Sequence, residues 1–160
     1  MVITVGDKLP DAIFLTMTLD GPVKLSTSEV FGGKTVVLFA VPGAFTPTCS
    51  AKHLPGFLEH AQAIRDKGVD TIACVAVNDL AVMNAWGKDQ KVGDDILMLA
   101  DGNGDFARAI GLEMDATGFG MGHRSKRFAM VVDDGVVSGL YVEEPGEFKV
   151  SSAESVLAEL

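Results

Sequence analysis

The chain has 160 residues and a mass of 16.8 kDa, a size that predicts one domain over residues 1–160. Hydrophobic residues make up 48% and charged residues 22%, which excludes a disordered chain. The formal net charge of −9 argues against nucleic acid or a membrane surface as a partner, because phosphate backbones and anionic lipids repel an acidic domain.

The cysteine content and the N-terminus bear on the compartment. The chain has two cysteines, Cys49 and Cys74, which are too few for a disulfide framework. Its N-terminal residues show neither a basic segment nor a long apolar one, so no signal peptide is expected. The longest apolar run, 36–42, is too short to span a bilayer. These features predict a cytoplasmic protein.

The first recognisable elements form a β-α-β unit. Residues 34–41 are a continuous apolar and β-branched run, which is typical of a central strand buried on both faces. Apolar residues at helical spacing then predict a helix over 48–67, kinked at Pro55. A second apolar run, 69–77, completes the unit, so the two strands are expected to be parallel.

The remaining elements continue the alternation with a helix, a strand and a second helix, at 80–90, 96–100 and 104–110. Asp133-Asp134-Gly135 then separates two apolar runs, 128–132 and 136–142, which indicates an antiparallel hairpin. A capping-box pattern at Ser151-Ser152-Ala153-Glu154 opens a terminal helix that ends at Leu160. The predicted fold class is α/β, with a central mixed β-sheet flanked by helices, parallel strands first and the antiparallel hairpin last.

The loop after the first central strand carries the best-placed polar cluster. In open α/β sheets, sites lie outside the carboxyl ends of the strands, and residues 42–49 occupy that place. Cys49 falls in the first turn of the next helix, where free N–H groups and the helix dipole favour thiolate over thiol. Thr46 is near enough to offer a hydroxyl. This position favours a reactive cysteine, although a free cysteine is more often a small buried apolar residue.

The residues around Cys49 resemble the active-site motif of the peroxiredoxins. Pro42, Thr46 and Cys49 match Pro-x-x-x-Thr-x-x-Cys. Longer segments are similar to the type II, peroxiredoxin-5-like subfamily, and the resemblance covers nearly the whole chain. These segments are 41–50, 53–57, 76–79, 86–87 and 124–132.

The resemblance implies a thioredoxin-like fold and a thiol-dependent peroxidase that reduces hydrogen peroxide and alkyl hydroperoxides. Cys49 would be the peroxidatic cysteine and would become a sulfenic acid. Thr46 would hydrogen-bond the peroxide, and Pro42 would shield the pocket from water. Arg127 would stabilise the thiolate and polarise the peroxide. No metal or organic cofactor is implied.

Arg127 and His53 are two further candidate residues for this site. Arg127 lies in a basic cluster with Arg124 and Lys126, and such a cluster is more often a solvated turn. Arg127 is favoured because it directly precedes a predicted buried strand, at the position that the family uses. His53 lies four residues after Cys49, on the same helix face, and is expected to brace the loop rather than to transfer protons.

The reductant and the partners follow from what the chain contains. Cys74 lies in the middle of an apolar run and is expected to be a core cysteine, with a resolving role as the alternative. Some relatives carry a resolving cysteine near the C-terminus, and this chain has none after Cys74. An external thiol is therefore expected, either glutathione with glutaredoxin or thioredoxin. The resemblance also implies a homodimer packed through loops near the active site. The sequence leaves Trp86, Phe119 and Met121 between core and interface, and the large side chains of the Gly-rich loop 118–122 would mark a contact surface if they are exposed.

Two other functions are weighed against the peroxidase. A thioredoxin-like disulfide reductase would need the motif Cys-x-x-Cys. Thr46 occupies the position three residues before Cys49 where that motif has its first cysteine, so the motif is not present there. In a redox-sensing or binding module, oxidation of Cys49 would signal to a partner. Such a module would be oxidised once, whereas a peroxidase turns over many equivalents of peroxide.

Overall fold

The computed structural model describes residues 2–160, which form strands, α-helices and two short turns of other helix types. The strands are β1 (Ile13–Thr18), β2 (Gly21–Ser26), β3 (Thr35–Ala40), β4 (Thr71–Ala76), β5 (Leu97–Ala100), β6 (Glu113–Asp115), β7 (His123–Ser125), β8 (Phe128–Asp133) and β9 (Val136–Val142). The α-helices are α1 (Thr27–Phe31), α2 (Leu54–Glu59), α3 (Ala61–Asp66), α4 (Leu80–Asp89), α5 (Asp105–Ala109) and α6 (Ala153–Glu159). A π-helical turn, Cys49–His53, directly precedes α2, and a 3₁₀ turn, Thr117–Phe119, lies between β6 and β7.

Seven of these strands form one mixed sheet in the order β2-β1-β5-β4-β3-β8-β9. In its centre β4 is parallel to both β3 and β5. On one side β8 and β9 continue the sheet as an antiparallel hairpin. The predicted α/β architecture with a mixed sheet is therefore confirmed. β6 and β7 pair separately as a two-stranded sheet.

The hairpin of β1 and β2 was not predicted from the sequence, which placed parallel strands first. β1 pairs antiparallel with both β2 and β5, so antiparallel strands flank the parallel centre on both sides. The sequence of β1 shows only a short alternation, with Phe14 and Thr16 as its buried residues. Two inward positions are too few to identify a strand by periodicity.

Apolar layers cover both faces of the sheet. Phe57 and Trp86, from α2 and α4, pack in one layer, and Phe106 from α5 packs in the other. Alternate residues of β3 contribute to each layer. Because both faces are covered, all residues of 36–40 are buried, which explains the uninterrupted apolar run in the sequence. No helix formed by residues 2–160 is long and apolar enough to cross a membrane.

The helix predicted over 48–67 is divided into three pieces. The turn Cys49–His53 is π-helical, and the N–H of Leu54 bonds the carbonyl five residues before it. Pro55 at the start of α2 has no N–H for the usual bond, so the predicted kink takes the form of a change in helix type. A further break at His60 separates α2 from α3, and the apolar pattern did not indicate it.

The C-terminal elements follow the sequence with one correction. Both residues of Asp134-Gly135 have positive φ, 48° and 80°, and close the predicted hairpin between β8 and β9. The cap of α6 is Ser152, whose side chain accepts from the N–H of Ser155, whereas the capping-box spacing pointed to Ser151. The Ser151 hydroxyl donates to Glu143 instead.

Candidate active site

The loop after β3 brings the sequence motif to the carboxyl edge of the parallel strands. Pro42 is half-buried there. A Cβ atom at Gly43 would lie 3.2 Å from both Thr46 Cγ2 and Met121 Cε, so the loop backbone packs closely against these two side chains. Phe45 has a φ of +62°, a strained conformation for a residue with a large side chain. Tight packing and local strain therefore define the path of this loop.

Two polar residues hold the loop from neighbouring segments. Asn78, which follows β4, accepts a hydrogen bond at Oδ1 from the Ala44 N–H at 2.9 Å. Arg124 donates from Nε to the Met121 carbonyl at 2.9 Å and from Nη1 to the Val77 carbonyl at 3.0 Å. Sequence reasoning assigned neither residue this supporting position. The available signal for Asn78 was its place just after a buried parallel strand.

Cys49 lies in the first helical turn, where its own N–H is unused. The first intrahelical hydrogen bond runs from the Ser50 N–H to the Thr46 carbonyl at 2.9 Å. The N–H of Cys49 comes one residue earlier and therefore has no partner within the helix. No acceptor for it is found among residues 2–160. The Thr46 hydroxyl donates to the Gly43 carbonyl at 2.7 Å, and its oxygen keeps lone pairs for a second partner. The turn thus offers an N–H donor and a hydroxyl acceptor.

Arg127, the residue before β8, is the basic side chain that reaches the cysteine. Its Nη2 lies 3.1 Å from Sγ of the fully buried Cys49. Lys126 is exposed, and Arg124 binds backbone carbonyls as described above. The structure therefore places Arg127, of the three basic residues compared, beside the sulfur. A permanently charged donor at this distance stabilises negative charge on the sulfur.

His53 connects Arg127 to the C-terminal part of the chain. Its Nδ1 lies 2.8 Å from Arg127 Nη1, and its Nε2 lies 2.9 Å from the Ser151 carbonyl oxygen. A guanidinium can only donate, so Nδ1 accepts and the ring proton is on Nε2. Burial, and then the charge of Arg127, lower the pKa of His53 to about 3. The ring is neutral at physiological pH, which favours a bracing role over proton transfer.

Cys74 lies inside β4 and is fully buried in the same apolar layer as Cys49. Both thiols are free. Burial, and then the proximity of Cys49, raise the pKa of Cys74 well above its ordinary value, although Arg127 opposes this shift. At neutral pH Cys74 is therefore a thiol, which is a poor nucleophile compared with a thiolate.

The structure separates the large apolar residues that the sequence left between core and interface. Trp86 is fully buried, and its Nε1 donates to Ser50 Oγ at 3.0 Å, which ties α4 to the π-helical turn. Phe119, in contrast, is 85% exposed. Met121 is partly buried and lies against Gly43 of the active-site loop.

Taken together, the site combines a buried sulfur, a permanent cation, an unused N–H and a hydroxyl. A nucleophilic thiolate needs such groups, because they stabilise charge on the sulfur and on the atom that it displaces. Residues 2–160 contain no cluster of three or more His, Cys, Asp or Glu side chains that could hold a metal ion.

Known proteins that are similar to this chain in sequence and in fold identify its class. The family model described as Redoxin matches residues 4–157. Peroxiredoxin-2E-2, chloroplastic, of Oryza sativa subsp. japonica is 54% identical over 99% of this chain and 72% of its own length. Peroxiredoxin-2B of Arabidopsis thaliana is 47% identical over 99% of this chain and 98% of its own length. The crystal structure of reduced Prx3 in complex with H2O2 from Vibrio vulnificus has a TM-score of 0.95 at 54% identity, and the match covers 99% of each chain.

These matches confirm the predicted thioredoxin-like fold and place the chain among the redoxins. The chain belongs to the peroxiredoxin family, in agreement with its type II, peroxiredoxin-5-like motif, and is a thiol-dependent peroxidase.

Proposed function

We propose that Cys49 is the peroxidatic residue of this peroxidase and that Arg127, Thr46 and Pro42 assist it. The observation that carries the proposal is the 3.1 Å contact between Arg127 Nη2 and the buried Cys49 Sγ. The proposed substrates are hydrogen peroxide and small alkyl hydroperoxides. The relative from Vibrio vulnificus, described as a complex with H2O2, supports a small peroxide as substrate.

In the proposed reaction the Cys49 thiolate attacks one peroxide oxygen, and the O–O bond breaks. The sulfur is oxidised to a sulfenic acid, and the second oxygen leaves as hydroxide or alkoxide and takes a proton. Arg127 and the Cys49 N–H stabilise the charge that develops on the peroxide oxygens. The Thr46 hydroxyl accepts a hydrogen bond from the peroxide O–H, and Pro42 in the same loop limits the access of water.

We further propose that an external thiol regenerates Cys49. The chain has two cysteines, and Cys74 is a buried thiol inside a central strand. Glutathione would attack the sulfenic acid, forming a mixed disulfide and releasing water. Glutaredoxin would then take over the glutathione and return the Cys49 thiol. The cytoplasm, which is kept reduced by such thiols, is the proposed compartment, and cell fractionation tests it.

A steady-state assay of peroxide consumption tests the reductant. With glutathione and glutaredoxin we expect many turnovers per chain, and a lower rate with thioredoxin and its reductase. Turnover supported by thioredoxin alone would contradict the glutathione proposal. Consumption of a single equivalent of peroxide with every thiol would contradict turnover itself and favour a redox sensor.

We also propose that the peroxidase is a homodimer packed through the loops beside the site. Phe45 is 53% and Phe119 85% exposed, and their loops meet where Met121 contacts Gly43. Exposed aromatic side chains grouped in this way are typical of a contact surface. Light scattering should give the mass of two chains for the wild type and of one chain for Phe119→Glu. A single-chain mass for the wild type would contradict the dimer.

A further inference from the structure

Glu143 is a buried carboxylate that no step of the proposed reaction uses. It directly follows β9 and is only 7% exposed. Its Oε2 accepts from the N–H groups of Lys149 (2.8 Å), Val150 (3.0 Å) and Ser151 (2.8 Å), and from the Ser151 hydroxyl at 2.6 Å. Its Oε1 also lies 2.9 Å from the Lys149 N–H. One side chain thus organises the backbone of three consecutive residues.

The carboxylate of Glu143 is charged at neutral pH. Burial would raise the pKa of Glu143, but hydrogen bonds from Ser151, Lys149 and Val150 outweigh burial and hold the pKa below its ordinary value. Bonds to an ionised acceptor are stronger than neutral ones. The backbone N–H of Glu143 also donates to the Arg127 carbonyl at 3.0 Å, which anchors the segment next to the active site.

The organised segment presents one carbonyl group to the site. Ser151 O accepts from His53 Nε2 at 2.9 Å, and this bond selects the ring tautomer whose Nδ1 is an acceptor. Arg127 Nη1 donates to that Nδ1 at 2.8 Å, while Nη2 of the same guanidinium lies 3.1 Å from Cys49 Sγ. Displacement of the Ser151 carbonyl would therefore release the ring and remove a constraint on the guanidinium.

Phe148 gives the same segment a second contact with the site. Its ring centroid lies 4.9 Å from that of His53, and the Arg127 guanidinium carbon lies 5.8 Å from the ring centroid. This cation–aromatic contact is a second constraint on the movement of the guanidinium. The position of the segment therefore affects both groups that fix Arg127.

We propose that Glu143 is a positioning residue of the peroxidase reaction, which acts through Ser151 and His53 to hold the Arg127 guanidinium on Cys49. This role rests on the function proposed above for Cys49 and Arg127. The hydrogen bonds of Glu143 reach neither the sulfur nor the peroxide site, so its loss would misplace Arg127 without removing it. The effect on rate should accordingly be smaller than the effect of removing the guanidinium.

Glu143→Gln tests this role, because it keeps the size of the side chain and removes its charge. The stopped-flow rate of Cys49 oxidation by hydrogen peroxide should fall about tenfold, the size expected for loss of a charge-assisted hydrogen bond. Glu144→Gln, at the exposed neighbouring residue, is the matched control and should keep wild-type values.

Two measurements separate positioning from simple support of the loop. Nitrogen NMR of the imidazole should show one tautomer of His53, with the proton on Nε2, in the wild type and a mixture in Glu143→Gln. In a His53→Gln background, Glu143→Gln should cause a smaller loss of rate than in the wild type, because the part of its effect that passes through His53 is already absent and only the contact through Phe148 remains.

Circular dichroism establishes whether each variant is folded. If Glu143→Gln does not fold, Ser151→Ala is measured in its place. This change removes only the hydrogen bond from the Ser151 hydroxyl to the carboxylate, so a smaller loss of rate is expected. A wild-type rate in the folded variant, or a full repeat of the loss in the His53→Gln background, would overturn the positioning role. If peroxide fails to oxidise Cys49 in the wild-type protein, the proposed function is overturned as well.

Discussion

Cys49→Ser is expected to abolish peroxide turnover, whereas Cys74→Ser should keep most of the glutathione-linked turnover. A serine hydroxyl is not ionised at neutral pH and cannot form a sulfenic acid, so the first step is lost completely. The steady-state assay with glutathione and glutaredoxin measures both variants against the wild type. Loss of turnover in a folded Cys74→Ser variant would make Cys74 a resolving residue.

The different expectation for Cys74 follows from its place in the sheet. It lies between Phe39 of β3 and Met98 of β5 in the pairing of the parallel strands. Burial raises the pKa of its thiol, so little thiolate is available for attack on a sulfenic acid. Cys74 is also held in a central strand of the sheet, and opening such a strand costs much more than opening a surface turn.

Arg127→Gln is expected to slow the oxidation of Cys49 by peroxide on the order of 10²–10³-fold, as the loss of one transition-state donor does in other enzymes. The guanidinium places a permanent positive charge 3.1 Å from the sulfur. Glutamine is too short to replace it and carries no charge. Stopped-flow measurement of Cys49 oxidation gives the rate directly.

Lys126→Gln is the matched control for Arg127→Gln, because Lys126 is the adjacent basic residue and is exposed. It should oxidise at the wild-type rate and so exclude a general effect of lost positive charge. A wild-type rate in Arg127→Gln, together with a loss in Arg124→Gln, would show that Arg124 is the catalytic arginine.

The parallel centre of the fold was predictable because its strands are covered on both faces. β3 and β4 therefore appear in the sequence as continuous apolar runs, and a helix between them requires a parallel arrangement. The β1–β2 hairpin was not predictable in this way, because β1 buries few residues and lies beside an edge strand. The break at His60 was also hidden, since apolar residues continue at helical spacing across it.

The candidate site was predictable where residues adjacent in sequence form it. Cys49 and Thr46 lie in one strand–loop–helix unit, so their proximity follows from local structure. Arg127 directly precedes β8 and is 78 residues from Cys49 in the sequence, and the family resemblance, rather than spacing, singled it out. The bonds of Glu143 to 149–151 and of Asn78 to the active-site loop depend on tertiary packing, which no local pattern encodes.

The geometry of the π-helical turn also determines how a reductant can reach the sulfur. Cys49 is fully buried, so we infer that the turn must open before an external thiol can attack its sulfenic acid. Two side-chain bonds hold the turn closed, from Trp86 to Ser50 and from His53 to Ser151. The segment before Pro55 is short, and local opening of so few residues costs less than global unfolding.

Intact-mass spectrometry after one equivalent of peroxide and excess glutathione tests the central claim most directly. If Cys49 is oxidised and then resolved by an external thiol, the product carries a single glutathione, and peptide mapping places it on Cys49. Cys49→Ser should remain unmodified under the same conditions. A product dominated by a Cys49–Cys74 disulfide without glutathione, or a single adduct on Cys74, would contradict the account.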